Sequence, residues 1–110
     1  MKLQELEPEL LRLVSKDAWM AISDTILSDK VSGIRFRCPH CFDQLGSLDK
    51  VNFIYCWKPH VSPKAFPSLG RYEFTGKFIH DFTFSGPISC KTCHSIFFIE
   101  KGIIRILVED

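Results

Sequence analysis

The chain has 110 residues, of which 14 are Lys or Arg and 13 are Asp or Glu, so its formal net charge is +1. This balance excludes a protein that holds nucleic acid through bulk electrostatics, and the length fits one domain. Hydrophobic residues make up 45% of the chain, including ten phenylalanines, which excludes disorder on compositional grounds.

The N-terminal segment 1–33 is predicted to be helical or mixed. Apolar residues recur there at helical spacing, and Pro8 fits the first turn of a helix because its missing N–H costs little in that turn. We expect one short amphipathic helix that ends near Val14. The stretch 18–22 fits a helix or a strand, and the sequence leaves both open. The apolar residues at helical spacing are Leu3, Leu6, Leu10, Leu13 and Val14.

From residue 34 onward the hydrophobic period changes to two. Ile34 and Phe36 alternate with Arg35 and Arg37, which predicts a strand with one wet face. Three prolines within 58–68 predict a loop. Further strands are predicted at 51–57, 71–75, 78–84, 96–99 and 103–108, with turns at Gly76-Lys77 and at Glu100-Lys101-Gly102.

Four of the five cysteines form two Cys-x-x-Cys pairs separated by 48 residues. The two-residue spacing lets a tight knuckle turn both thiolates toward one ion, and two knuckles complete a tetrahedron of sulfurs. A predicted strand lies next to each cysteine pair, and the ligating cysteines of zinc ribbons likewise lie at the ends of strands. The sequence therefore predicts one structural zinc ion per chain, bound by Cys38, Cys41, Cys90 and Cys93.

Four protein ligands leave no open coordination position, so such an ion does no chemistry and instead holds the fold together. Other interpretations remain: free thiols, an iron centre or a redox dithiol, or His94 in place of one cysteine. Residues 90–94 also match the haem-attachment pattern C-x-x-C-H. Cys56, within a predicted strand, is interpreted as a buried apolar residue rather than a fifth ligand or a nucleophile.

The predicted fold class is α+β: a short N-terminal helix packed on an antiparallel, zinc-ribbon-like sheet with one four-cysteine metal site. We expect a single domain, 1–110, in which 34–110 is a zinc-clamped β core. Because acidic residues interrupt 1–8, we expect no signal peptide, and no apolar run approaches the roughly 20 residues of a membrane span. Cysteine pairs with metal-ligand spacing favour a reducing compartment, so we expect a cytoplasmic protein with no membrane partner.

Residues for a hydrolytic triad are present but lack a recognisable arrangement. His60, His80, Asp81 and Ser68 supply the right chemistry, yet no nucleophile elbow of the form G-x-S-x-G occurs. We expect no catalysis and infer no small-molecule substrate. If the protein is an enzyme, His60, His80 and Ser68 are the residues to test.

Cations alternate with aromatic residues through the β core. This mixture suits stacking on single-stranded nucleic acid, and it equally suits a protein interface, where Trp, Tyr and Arg are favoured anchors. We expect a protein partner, with nucleic acid as the alternative. The candidate partner-binding residues are Arg35, Arg37, Trp57, Phe66, Arg71 and Tyr72.

Several short motifs occur together in 34–108. They are Cys38-Pro39-His40-Cys41, Trp57, Phe66-Pro67-Ser68-Leu69, Gly86-Pro87-Ile88-Ser89-Cys90-Lys91-Thr92-Cys93-His94-Ser95 and Ile99-Glu100-Lys101-Gly102-Ile103-Ile104-Arg105-Ile106-Leu107. This combination resembles a family of small phage and prophage zinc-ribbon-like proteins that are often mislabelled ammonia monooxygenase. A related, uncharacterised family occurs near bacterial ubiquitin-like conjugation genes.

The resemblance implies a phage or mobile-element accessory protein that carries a structural zinc and binds a host or phage protein. Inhibition of a bacterial defence system would fit such a role, and the conjugation-associated family would imply a small hydrolase or a conjugation-related enzyme. This chain differs from the phage pattern in its long N-terminal segment and in lacking the trailing cysteine and histidine of some members.

Overall fold

The computed structural model describes residues 1–15, 18–22, 31–45, 51–59, 61, 71–90 and 93–107. These residues form mostly antiparallel sheet with little helix. The helices among them are the α-helix Pro39–Leu45 (α1) and the 3-10 helices Leu3–Leu6 and Ile79–Asp81. The strands are Glu9–Leu13 (β1), Trp19–Ile22 (β2), Gly33–Arg37 (β3), Phe53–Trp57 (β4), Phe74–Thr75 (β5), Thr83–Phe84 (β6), Ile88–Ser89 (β7), Ile96–Glu100 (β8) and Ile103–Leu107 (β9).

A four-stranded antiparallel sheet carries the first half of the chain, in the order β2-β1-β3-β4. The predicted alternation in β3 is confirmed, because Ile34 and Phe36 are buried while Arg35 and Arg37 lie on the opposite, partly exposed face. The stretch left open between helix and strand is strand β2, which pairs with β1.

The prediction of an N-terminal helix that ends near Val14 is wrong. Only Leu3–Leu6 form a helical turn, Glu7 follows with a left-handed φ of 50°, and β1 begins at Glu9. β1 pairs with β2 and β3 along its two edges, and apolar clusters cover both of its faces: Leu10 packs in the main core and Leu11 in the smaller cluster on the other side of the sheet. A strand covered on both faces loses the two-residue alternation, and here its leucines imitate a helical period.

The second half of the chain forms smaller sheets. Strands β7, β8 and β9 make a three-stranded sheet, and the hairpin predicted at its end is confirmed by the β8–β9 register. Both turn residues adopt positive φ, 49° at Lys101 and 74° at Gly102. This conformation matches the twist of a two-residue hairpin turn.

The hairpin predicted across 71–84 is only partly correct. β5 and β6 pair through Phe74 with Phe84 and Thr75 with Thr83, but the 3-10 helix Ile79–Asp81 lies between them where a strand was predicted. Most of the predicted loop at 58–68 lies outside the described residues.

One main core joins the sheets. Phe36 from β3 contacts Phe84 and Phe97 edge-on, with ring centroids 6.4 and 6.1 Å apart. A smaller cluster of Leu11, Trp57 and Val61 covers part of the opposite face of the four-stranded sheet. No helix in the described part of the chain combines the length and apolar character needed to cross a membrane.

Candidate metal centre and sheet surface

The two Cys-x-x-Cys pairs meet in space. The sulfur atoms of Cys38, Cys41, Cys90 and Cys93 all lie within 4.8 Å of one another. Cys38 Sγ and Cys93 Sγ are 3.7 Å apart. Four sulfurs placed tetrahedrally at about 2.3 Å from a metal ion are separated by roughly 3.8 Å. The arrangement therefore has the dimensions of a four-thiolate metal site.

The first knuckle combines the end of a strand with the start of a helix. Cys38 directly follows β3, and Pro39 opens α1, where a proline needs no hydrogen-bond partner for its nitrogen. The backbone N–H of Cys41 donates to Cys38 Sγ at 3.5 Å, and the N–H of Phe42 donates to the Cys38 carbonyl at 3.0 Å. The bond to Cys38 Sγ orients a ligating sulfur and offsets its charge, and the bond to the Cys38 carbonyl closes the turn between the two cysteines.

The second knuckle joins β7 to β8. The N–H of His94 donates to the Cys90 carbonyl at 2.9 Å, and the N–H of Cys90 donates to the Ser95 carbonyl at 3.1 Å. His94 has a positive φ of 59°, which reverses the chain after Cys93. The Ser95 hydroxyl lies 3.0 Å from Cys93 Sγ and holds the sulfur in place.

The surroundings of Cys38, Cys41 and Cys93 shift the pKa values of their thiols. Burial raises the pKa of Cys38, and burial together with the neighbouring sulfurs raises the pKa of Cys41 to about 11. Burial also opposes ionisation of Cys93, but hydrogen bonds from the Ser95 side chain and backbone, together with those from Cys90 and Cys41, outweigh it and lower the pKa of Cys93 to about 6. Four thiolates this close together repel one another, so the cluster needs a cation to ionise fully.

The remaining sequence candidates near the cluster stay outside it. Cys56 is fully buried in the main core, and burial raises the pKa of its thiol. His94 is exposed and lines a cavity of about 240 Å³ with His40 and Cys93, but neither histidine belongs to the group of atoms able to hold one ion.

Beyond the metal cluster, the four-stranded sheet carries a surface that we call the arginine–aromatic face: Trp19, Arg35, Arg37, Phe53 and Tyr55. All five side chains are partly exposed. Arg35 Cζ lies 4.1 Å from the centre of the Phe53 ring and 4.8 Å from that of Trp19. Arg37 Cζ lies 3.9 Å from the Phe53 ring, and the Trp19 and Tyr55 rings are 5.6 Å apart.

Glutamates balance the charges of this face. Arg35 donates to Glu9 Oε1 through Nε at 2.9 Å and Nη2 at 2.6 Å, and Arg37 Nε lies 3.7 Å from Glu7 Oε1. Burial opposes the charge of Arg35, but hydrogen bonds to Tyr55 and Glu9 raise its pKa above the ordinary value. The face is therefore aromatic and polar with almost no net charge.

The structure separates the candidate partner-binding residues. Arg35 and Arg37 lie on the arginine–aromatic face, whereas Trp57 is buried over Gly33, where an added Cβ would lie 2.6 Å from the indole. Arg71 Nε donates to the Val61 carbonyl at 3.0 Å. Tyr72 is half-buried against Phe84, where burial raises the pKa of its hydroxyl. Phe66 lies outside the described residues.

The sequence patterns did not identify Trp19, Phe53 and Tyr55 as members of this face. Trp19 was assigned to a segment of undecided structure, and Phe53 and Tyr55 were recognised only as strand residues. The alternation Phe53, Tyr55, Trp57 along β4 is a signal for a shared face, but pairing Arg35 with Tyr55 and Arg37 with Phe53 requires the strand register.

Of the residues considered for a hydrolytic triad, only His80 and Asp81 lie in the described part of the chain. His80 is exposed and stacks on Phe78 with ring centroids 5.3 Å apart, and among the described residues no hydrogen bond links it to a serine or a cysteine. His60 and Ser68 lie outside those residues.

The sequence matches no protein-family model, and neither a curated protein nor a solved structure is significantly similar to it. The function must therefore be inferred from the geometry of this chain.

Proposed function

We propose that this protein is a non-catalytic binding module, clamped by one structural zinc ion, that recognises another protein through its arginine–aromatic face. The observation that carries the proposal is the composition of that face: three partly exposed aromatic rings and two arginines that pack against one another. Tyr, Trp and Arg dominate the energetics of protein interfaces, because they bury large areas and carry polar groups that find partners.

The charge balance favours a protein over nucleic acid. Glu9 binds Arg35 directly and Glu7 lies near Arg37, so carboxylates offset the charge of both guanidinium groups. Phosphate recognition depends on unpaired cations, and its affinity falls steeply with salt. The resemblance to phage accessory proteins adds support for a host or phage protein as the partner, including a component of a bacterial defence system.

We propose zinc as the metal. The set of four sulfurs suits zinc or an iron–sulfur centre, and a closed tetrahedral site with no open position is typical of structural zinc. Native mass spectrometry of the purified protein before and after chelation should show the mass of one zinc ion lost per chain. Iron, or no bound metal, would contradict this assignment.

Site-specific photocrosslinking tests the binding proposal. Tyr55→p-benzoylphenylalanine places a crosslinker on the arginine–aromatic face, and Thr75→p-benzoylphenylalanine places the same group on an exposed residue of β5. We expect a discrete protein adduct from position 55 in bacterial cells and none from position 75. Nucleic acid in the adduct, or equal labelling from both positions, would overturn the proposal.

The partner protein identified in the adduct can then be purified, and its affinity for this protein can be measured. We expect Phe53→Ala to weaken binding at least tenfold, because this ring supports both arginines, whereas the affinity should change by less than about threefold between 50 and 200 mM salt. Glu73→Ala, at an exposed residue that is not a member of this face, is the control and should bind like the unaltered protein.

A further inference from the structure

A second concave site lies where the N-terminal segment meets the turn of the last hairpin. Its volume is about 390 Å³, and it is lined by Lys2, Gln4, His80, Lys101, Gly102 and Ile103. None of the four clustered cysteines and none of the residues of the arginine–aromatic face lines it. We propose that this cavity binds a small organic phosphate.

The backbone around the cavity is held in place by hydrogen bonds between distant segments. The N–H of Leu3 donates to the Gly102 carbonyl at 2.8 Å, and the N–H of Gly102 donates to the Phe82 carbonyl at 2.8 Å. The N–H of Lys101 donates to Thr83 Oγ1 at 2.9 Å. The attachment points of the lining side chains are therefore preorganised, which lowers the entropic cost of binding a ligand.

The polar lining is basic. Lys2 and Lys101 come from different segments, and neither forms an ion pair within the described residues. The carboxylate of Glu5 accepts the backbone N–H of Lys2 at 2.9 Å and does not line the cavity. Two lysines that line one concave surface, with no carboxylate in its lining, attract an anion, and lysine binds phosphate as a point charge.

The size and the apolar wall indicate the rest of the ligand. A volume near 390 Å³ falls within the range of small-molecule sites and exceeds what one phosphate group fills. Ile103 is 49% exposed beside the basic residues, and the His80 ring, stacked parallel to Phe78, offers a flat surface. A phosphate group would lie between the lysines while an organic group packs against Ile103 and His80.

Amide NMR on the metal-loaded full chain tests the proposal, with phenyl phosphate and inorganic phosphate as probes at constant ionic strength. We expect saturable shifts at the amides of Gly102 and Ile103, and tighter binding of phenyl phosphate than of inorganic phosphate. Lys2→Gln and Lys101→Gln should each weaken phenyl phosphate binding at least fivefold. Lys77→Gln, which removes the same charge from an exposed lysine outside the lining, should change it less than twofold.

Three results would overturn the proposal: no saturable shift at these amides, equal weakening by Lys77→Gln, or equal affinity for the two probes. The wild-type shift map gives an answer even if a variant fails to fold, and the amide spectrum of each variant reports its folding directly. Because the experiment needs no protein partner, its result is independent of the function proposed for the arginine–aromatic face.

Discussion

Cys38 and Cys56 are equally buried, and only their neighbours distinguish them. Both side chains are 0% exposed, and burial raises the pKa of both thiols. Cys38 has three other sulfurs within 4.8 Å, whereas Cys56 packs among apolar side chains of the main core. A thiol buried among apolar side chains is inert. Four clustered thiols instead form a site in which a bound metal ion neutralises the charge of the thiolates.

Replacing each of these two cysteines by alanine should separate the two roles. We expect Cys38→Ala to lose the bound metal and the cooperative unfolding transition, because three thiolates hold the ion poorly and the clamp opens. Cys56→Ala should keep one metal ion per chain and lose about 1–2 kcal/mol of unfolding free energy through the small cavity it leaves. Metal analysis and thermal melts check both. Metal loss in Cys56→Ala alone would reverse the assignment.

Ser95 should control the acid stability of the metal centre. Its hydroxyl and backbone are the leading causes that lower the pKa of Cys93 to about 6 against the effect of burial, so Ser95→Ala, which removes the hydroxyl, should raise that pKa. Protons compete with the metal ion for a thiolate, so a thiol with a higher pKa is protonated and releases the metal at a higher pH. We therefore expect the pH midpoint of metal release to move upward in Ser95→Ala.

A chelator dye titrated from pH 7 downward measures that midpoint. Ser85→Ala removes a hydroxyl from an exposed position away from the cluster and should leave the midpoint unchanged. An unchanged or lowered midpoint in Ser95→Ala would show that the hydroxyl does not stabilise the thiolate.

Sequence patterns predicted an element correctly where residues close together in the chain determine its structure. They gave a wrong prediction where contacts between distant segments determine it. The hairpin ending in β9 was predictable, because alternation and the Lys101-Gly102 turn are both local signals. The four clustered cysteines were predictable as well, because knuckle spacing is local and four thiols suit one ion. β1 was not predictable, because Leu10 and Leu11 are buried by two different apolar clusters on opposite faces of the sheet, and only the complete fold brings these clusters there.

The turn of the last hairpin supplies an element-scale prediction. Gly102 has a φ of 74°, and an added Cβ would collide with the backbone carbonyl of His80. We expect Gly102→Ala to lower the unfolding free energy by about 1–3 kcal/mol, because both the backbone conformation and the space oppose a side chain.

Chemical denaturation of Gly102→Ala and Gly86→Ala measures this difference. Gly86 has no atom within 4 Å of an added Cβ, so the same substitution there should be close to neutral. Equal effects at the two glycines would indicate that the turn tolerates rearrangement and does not fix the hairpin.

The whole molecule is held together by contacts between segments that lie far apart in the chain. Cys38 follows β3 of the four-stranded sheet and Cys90 follows β7 of the three-stranded sheet, so one ion at the cluster would tie the two sheets. Phe36 in β3 and Phe97 in β8 pack together in the same core. Because the core and the cysteine cluster connect the same two sheets, loss of either connection weakens the other.

Metal removal should therefore unfold both sheets together. Structural zinc contributes about 10–16 kcal/mol in small zinc-binding peptides, while a domain of ordinary stability is folded by only about 5–15 kcal/mol. We expect chelation to abolish amide protection in the four-stranded and three-stranded sheets at the same rate, as measured by hydrogen exchange with mass spectrometry. Restoring zinc should return protection to both. If amides of the four-stranded sheet stay protected in chelator, the prediction is wrong. Strand pairing and apolar burial around Phe36 would then suffice to fold this sheet without the ion.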